Sequence, residues 1–158
     1  MERDPNASIY PPHLGRLDEV WVRNPVYFIT TCVSGRRSLL ADPCIAEHLC
    51  HEWRGAETRH GWLIGRYVIM PDHVHFFAVP TDGAKGLSTM VGRWKEWTAK
   101  AVLRHINQTS PLWQHRFFDH VLRSRTSYAE KWNYVQQNPV RRTRETIRRL
   151  ALRRTYSL

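Results

Sequence analysis

Residues 62–79 read WLIGRYVIMPDHVHFFAV. Two runs rich in β-branched and aromatic residues, Trp62 to Met70 and His73 to Val79, are separated only by Pro71-Asp72, a pair suited to a tight turn. The stretch therefore predicts a β-hairpin. Successive side chains on a strand point to opposite faces, so Val74 and Phe76 enter the core while His73 and His75 stand side by side on the other face. Two neighbouring neutral imidazoles make a ready chelate for a divalent cation. Alone, such a pair fits two structural or merely exposed histidines equally well, and a third ligand and a nucleophile must be found elsewhere.

Upstream, VYFITTCV (Val26 to Val33) lies between Asn24-Pro25 and Ser34-Gly35 and reads as a strand. Asp42-Pro43 offers an N-cap followed by proline at the first helical position, and Cys44 to Arg59 carries Ile45, Leu49 and Trp53 at helical spacing. Downstream, Leu87 to Ile106 reads as a long amphipathic helix with Ser88 in its cap region. Leu87, Met90, Val91, Trp94, Trp97, Ala101 and Ile106 lean to one side of it. A short strand follows around His120 to Arg123, and Thr126 or Ser127 opens a helix that Asn138-Pro139 stops or bends near Gln137. The order strand, helix, hairpin, helix, strand, helix predicts an α+β chain: a ferredoxin-like βαββαβ antiparallel sheet with an appended C-terminal helix. Residues 1–24, with Pro5, Pro11, Pro12 and Gly15, read as an irregular arm, 25–140 as one domain and 141–158 as an Arg-rich tail.

The chain has 158 residues, with 24 Lys+Arg against 14 Asp+Glu, a net charge of +10. At that length one domain buries about 70% of its unfolded surface, enough for a core without staples. From Arg141 to the end there are seven Arg against Glu145 alone, so 7 − 1 = 6 of the ten positive charges sit in the tail. That density fits either a polyanion binder or a solvated basic face. The polar start and the lack of any long apolar run argue against a signal or a membrane span and predict a cytoplasmic protein. Cys32, Cys44 and Cys50 are odd in number and lack CxxC spacing, which suits a reducing compartment. On a helix, Cys44, His48 and His51 share one face, either as a half-buried helix surface or as a metal-capable cluster.

The third ligand and the nucleophile can both come from KWNYVQQNP (Lys131 to Pro139). On a helix, Tyr134 and Asn138 lie one turn apart, so a phenol and a carboxamide share a face. A phenol with a pKa of about 10 is a poor nucleophile unless a nearby cation polarises the phosphoryl group it attacks. The helix alone fits a buried aromatic as well.

Five pieces occur in a set order: VYFITTCV with Gly35-Arg36-Arg37, MPDHVHFF, GLSTMVGRWKEWTAK, LWQHRFFDHVLRS and YVQQNPV. Over about Val26 to Arg142 the chain thereby resembles the single-tyrosine transposases of the HUH endonuclease superfamily, most closely the REP-associated tyrosine transposases. The resemblance implies that His73 and His75 are metal ligands, with Asn138 as the third ligand where insertion-sequence relatives often have Gln, and that Tyr134, on the appended helix, is the nucleophile. The implied ion is Mg²⁺ or Mn²⁺, although two imidazoles are softer ligands than Mg²⁺ usually takes. The implied reaction is cleavage and rejoining of single-stranded DNA at repeat hairpins, beside a guide tetranucleotide, through a 5′-phosphotyrosine and a free 3′-OH. Arg36, Arg37, Arg116, Arg123, Arg141, Arg142 and Arg144 would contact the DNA backbone, and Trp113 and Phe117 would either stack on bases or fill the core. The nearer match implies a monomer with the tyrosine acting in cis, where insertion-sequence relatives are dimers that exchange it.

Past NPV the chain departs from the family's Gly-containing turn and Ser-rich end, which puts the tail's part in hairpin recognition in doubt. Two other readings compete: a repeat-hairpin binding protein for DNA or RNA that does not cut, and a zinc hydrolase. The latter lacks a third His or carboxylate at fixed spacing and a nearby general-base Glu.

Overall fold

The computed structural model describes residues 25–137 and the two-residue strand at 147–148. The elements are β1 (Val26–Cys32), a 3-10 turn (Ser34–Arg36), α1 (Pro43–Arg54), α2 (Ala56–His60), β2 (Trp62–Ile69), β3 (His73–Pro80), α3 (Leu87–His105), β4 (Phe118–Leu122), α4 (Arg125–Gln137) and β5 (Ile147–Arg148). They build one antiparallel sheet in the order β4-β1-β3-β2-β5, the ferredoxin-like arrangement with β5 added beside β2.

Alternation along β3 divides the interior in two. Val74, Phe76 and Ala78 face α1 and α3, where Trp53 stacks on Trp94 with ring centroids 5.1 Å apart and nearly parallel planes, and Trp113 tilts onto Trp94. Phe77 and Val79 face α4 and pack with Val26, Phe28, Val68, Met70, Leu122, Trp132 and Val135. The β2 strand needs a correction of phase to serve both layers. Between Ile64, opposite Ala78, and Tyr67, opposite Phe76, it carries one extra residue. This bulge at Gly65-Arg66 returns Tyr67 and Ile69 to the α1/α3 face and sends Val68 and Met70 to the α4 face.

Three local readings are corrected. The helix expected over Cys44 to Arg59 breaks at Gly55 into α1 and α2; Gly61, at φ 74°, then closes α2 in the left-handed region that favours glycine. On α3 the buried residues are Met90, Val91, Trp94, Thr98 and Val102, so Trp97 lies outside the core, 51% exposed beneath the Lys100 ammonium. Thr98 takes the inward place because its hydroxyl donates to the Trp94 carbonyl and accepts from Trp113 Nε1. The N-cap of α3 is Gly86, without a side-chain cap, rather than the Ser88 region. Elsewhere Asp42 caps α1 as expected, Oδ1 accepting from Cys44 N at 2.8 Å. Ser124 and Ser127 cap the start of α4 reciprocally, each hydroxyl accepting from the other's backbone N–H. Among the described residues no helix is long and apolar enough to cross a membrane.

Candidate active site

His73 and His75 open β3, the central strand of the five. They lie on the α4 face and are 7% and 8% exposed, their ring centroids 4.8 Å apart. His75 stacks on Phe28. Its Nδ1 lies 2.8 Å from Thr30 Oγ1, while Nε2 is buried and has no hydrogen-bond partner among the described residues. If Nδ1–H donates to the hydroxyl, the lone pair resides on Nε2, the form that coordinates a cation. Burial, then the fields of His73, Lys131 and Arg36, push the His75 pKa down to about 3, so the ring is neutral at physiological pH.

His73 is oriented by a carboxylate. Its Nδ1 donates to Asp72 Oδ1 at 2.6 Å, and Asp72 Oδ2 accepts from Arg36 Nε at 3.0 Å. Burial works against the Asp72 charge, but the His73 hydrogen bond, the His73 and Arg36 fields and a backbone bond outweigh it and hold the carboxyl below its usual range. Asp72 is fixed by its main chain as well: its carbonyl accepts from Val33 N, and Met70 N donates to the His73 carbonyl across the turn. The 3-10 turn brings Arg36 to it. Gly35 and Arg36 both have positive φ, 65° and 55°, and a left-handed conformation at a bulky residue costs on the order of 1 kcal/mol. Arg36 keeps it while also donating from Nη1 to Cys32 Sγ at 2.8 Å.

Across this face, α4 buries Trp132 and Val135 and leaves Tyr134 64% exposed, so the buried-aromatic reading of Tyr134 fails. Lys131 links the regions: its ammonium lies 5.0 Å from the Phe28 ring centre and 5.9 Å from that of Tyr134. Arg66 sits over Trp132 at 5.0 Å and holds the other flank of the helix. Asn138, the expected third ligand, lies outside the described residues, as do Arg141, Arg142 and Arg144.

The remaining expected DNA contacts divide. Arg116 and Arg123 are exposed. Arg36 is engaged with Asp72, and Arg37 ties down the loop after α3, donating to Gln108 and Ser110 and to the Pro111 carbonyl. Trp113 is buried and Phe117 packs against the core, which is the core reading of both. Sequence reasoning missed Thr30, Asp72 and Lys131 as supports of the histidine pair. A carboxylate immediately before the first histidine is a usable signal for Asp72, beyond its place in the turn. Thr30 and Lys131 reach the site through strand pairing and helix packing, which no local pattern reports.

The chemistry of the donors fits a divalent cation: two imidazoles, one held by a carboxylate and the other by a hydroxyl, with an unpartnered buried nitrogen between strand and helix. A family model described as "Transposase IS200 like" matches residues 22–138. The chain is 26% identical to a REP-associated tyrosine transposase of Escherichia coli K12, over 77% of this chain and 70% of that one. It is 22% identical to an uncharacterized protein of Haemophilus influenzae, over 85% and 92% of the two chains. Two solved structures share the fold. One is a REP-associated tyrosine transposase bound to a REP hairpin, with a TM-score of 0.63 at 22% identity over 78% of this chain and 71% of that one. The other is a putative transposase from Deinococcus radiodurans, with a TM-score of 0.57 at 21% identity over 75% and 94%. A family match from before β1 to the end of α4, on a chain that carries the histidine pair and the tyrosine helix on one face of its sheet, means that this chain belongs to the IS200-like transposase family.

Proposed function

We propose that this chain cleaves and rejoins single-stranded DNA at repeat hairpins, with Tyr134 as nucleophile and His73, His75 and Asn138 as ligands of Mg²⁺ or Mn²⁺. The observation that carries the reading is the unpartnered, buried Nε2 of a neutral His75 on the same sheet face as the helix presenting an exposed Tyr134. When bound, the cation would neutralise charge developing on the scissile phosphate. Tyr134 Oη forms the new bond to phosphorus and gives up its proton to solvent. The phosphorus–O3′ bond breaks, the leaving O3′ takes a proton from solvent to become a 3′-OH, and the 5′ end is held as a phosphotyrosine, so that no external energy source is needed for rejoining. Lys131, between Tyr134 and Phe28, supplies a fixed positive charge beside the phenol. Asp72 and Thr30 keep both imidazoles in the ligating tautomer.

The E. coli relative and the hairpin-bound neighbour support repeat-hairpin DNA as the substrate, and of the expected contacts among the described residues Arg116 and Arg123 are exposed and open to its backbone. The free Cys32, Cys44 and Cys50 suit a cytoplasmic setting. The same reading takes the protein as a monomer with the tyrosine acting in cis. The deciding experiment incubates the protein with labelled single-stranded repeat hairpins in Mg²⁺, Mn²⁺ or EDTA and maps any covalent adduct. A metal-dependent adduct on Tyr134 is expected. Binding with no adduct in any metal, across several hairpins, would leave the non-cleaving hairpin binder standing instead.

A further inference from the structure

On the α1/α3 side of the sheet, the face opposite the histidine pair, a second set of donors converges that the DNA chemistry does not use. It lies where α1 begins and α3 ends. Asp42, the N-cap of α1, spends Oδ1 on Cys44 N and leaves Oδ2 free. That Oδ2 stands 3.8 Å from Nε2 of His105, the last residue of α3. The gap is too long for a hydrogen bond. Cys44 Sγ completes the group: a carboxylate oxygen, a thiol sulfur and an imidazole nitrogen within 4.8 Å of one another, all on exposed residues. Two ligands of a tetrahedral zinc ion, bound at roughly 2.0–2.3 Å, stand about 3.3–3.6 Å apart, so a small inward shift of these side chains satisfies the ion. His48, one turn after Cys44 on α1, places its ring centroid 5.7 Å from that of His105.

We propose that Asp42, Cys44 and His105 bind Zn²⁺, with solvent in the fourth place. The mixed thiolate, imidazole and carboxylate set selects a borderline-soft cation over Mg²⁺. On binding, the Cys44 thiol loses its proton to solvent as the sulfur–zinc bond forms. The ion would join the first turn of α1 to the last turn of α3, two helices that otherwise meet through their apolar faces. The set differs from the Cys44, His48 and His51 cluster that helical spacing suggests: Asp42 and His105 take part, and neither His48 nor His51 does.

The test titrates reduced, metal-free protein with Co²⁺ as a spectroscopic stand-in, followed by Zn²⁺. A saturable thiolate-to-cobalt charge-transfer band that is lost on adding Zn²⁺ is expected, a signal that the imidazoles of His73 and His75 cannot produce. Cys44→Ser should abolish the band, and His105→Ala should weaken affinity by at least about tenfold. Both residues are exposed, so neither change should disturb folding. No band in the wild type would overturn the proposal and leave Asp42 and His105 as a solvated ion pair. A band that survives Cys44→Ser, or an affinity less than tenfold changed by His105→Ala, would overturn it equally.

Discussion

The two faces of the sheet are built from alternate residues of the same strands and do different work. Toward α1 and α3, β3 contributes Val74, Phe76 and Ala78 to a layer of stacked tryptophans, in which Trp113 donates to Thr98 while the indole N–H groups of Trp53 and Trp94 are buried without a partner among the described residues. Toward α4 it contributes Phe77 and Val79 but also two imidazoles, in a smaller apolar layer closed by Trp132 and Val135. One face is stabilised by apolar area. The other gives up some of that area to hold buried polar nitrogens, and the aromatic face can bear the cost because burial of a Trp or Phe contributes several kcal/mol.

Substitutions that act on one face only will break or sharpen this contrast. The largest effect is expected from Tyr134→Phe, which should lower covalent adduct formation on hairpin DNA by at least about 10⁴-fold, the scale of losing a nucleophile. Hairpin affinity and Tm should stay close to wild type, since the side chain is exposed. If binding and Tm fell together with cleavage, Tyr134 would belong to the packing of its face. On the opposite face, Trp94→Ala removes the ring between Trp53 and Trp113 and should cost about 3–5 kcal/mol by denaturant titration. A loss below about 1 kcal/mol would show that the tryptophan layer can collapse around the gap.

Asp72→Asn should weaken Mn²⁺ binding about 10–100-fold, as removal of a ligand's orienting partner typically does, with little change in overall folding. Calorimetry would read it, and unaltered Mn²⁺ affinity would remove Asp72 from the site. The smallest effect is expected at Trp97, on the helix of the aromatic layer but outside it: Trp97→Ala should change stability by no more than about 0.5 kcal/mol. A larger loss would mean that the layer extends to the outer surface of α3.

Much of this contrast was readable from the chain. The alternation HVHFF placed both histidines opposite Val74 and Phe76, and the order of elements gave the sheet its topology. What escaped depends on contacts between distant segments. Trp97 reads as apolar and helical, but only the position of Trp113 shows that Thr98 faces inward. Arg36 and Arg37 read, by the family resemblance, as backbone contacts for DNA, whereas their partners Asp72 and Gln108 lie 36 and 71 positions away. The phase change at Gly65-Arg66 is equally silent, since either phase presents apolar residues to both sides.

The central place of β3 bears on how the site opens. Its amide hydrogens are tied to β1 and β2, so they should exchange with solvent only on global unfolding. The α4 helix rests on two buried side chains and should exchange by local opening at a lower free energy. The histidine pair and Tyr134 then belong to units of different opening cost, so that Tyr134 can swing away from the strand and return while the imidazoles keep their places.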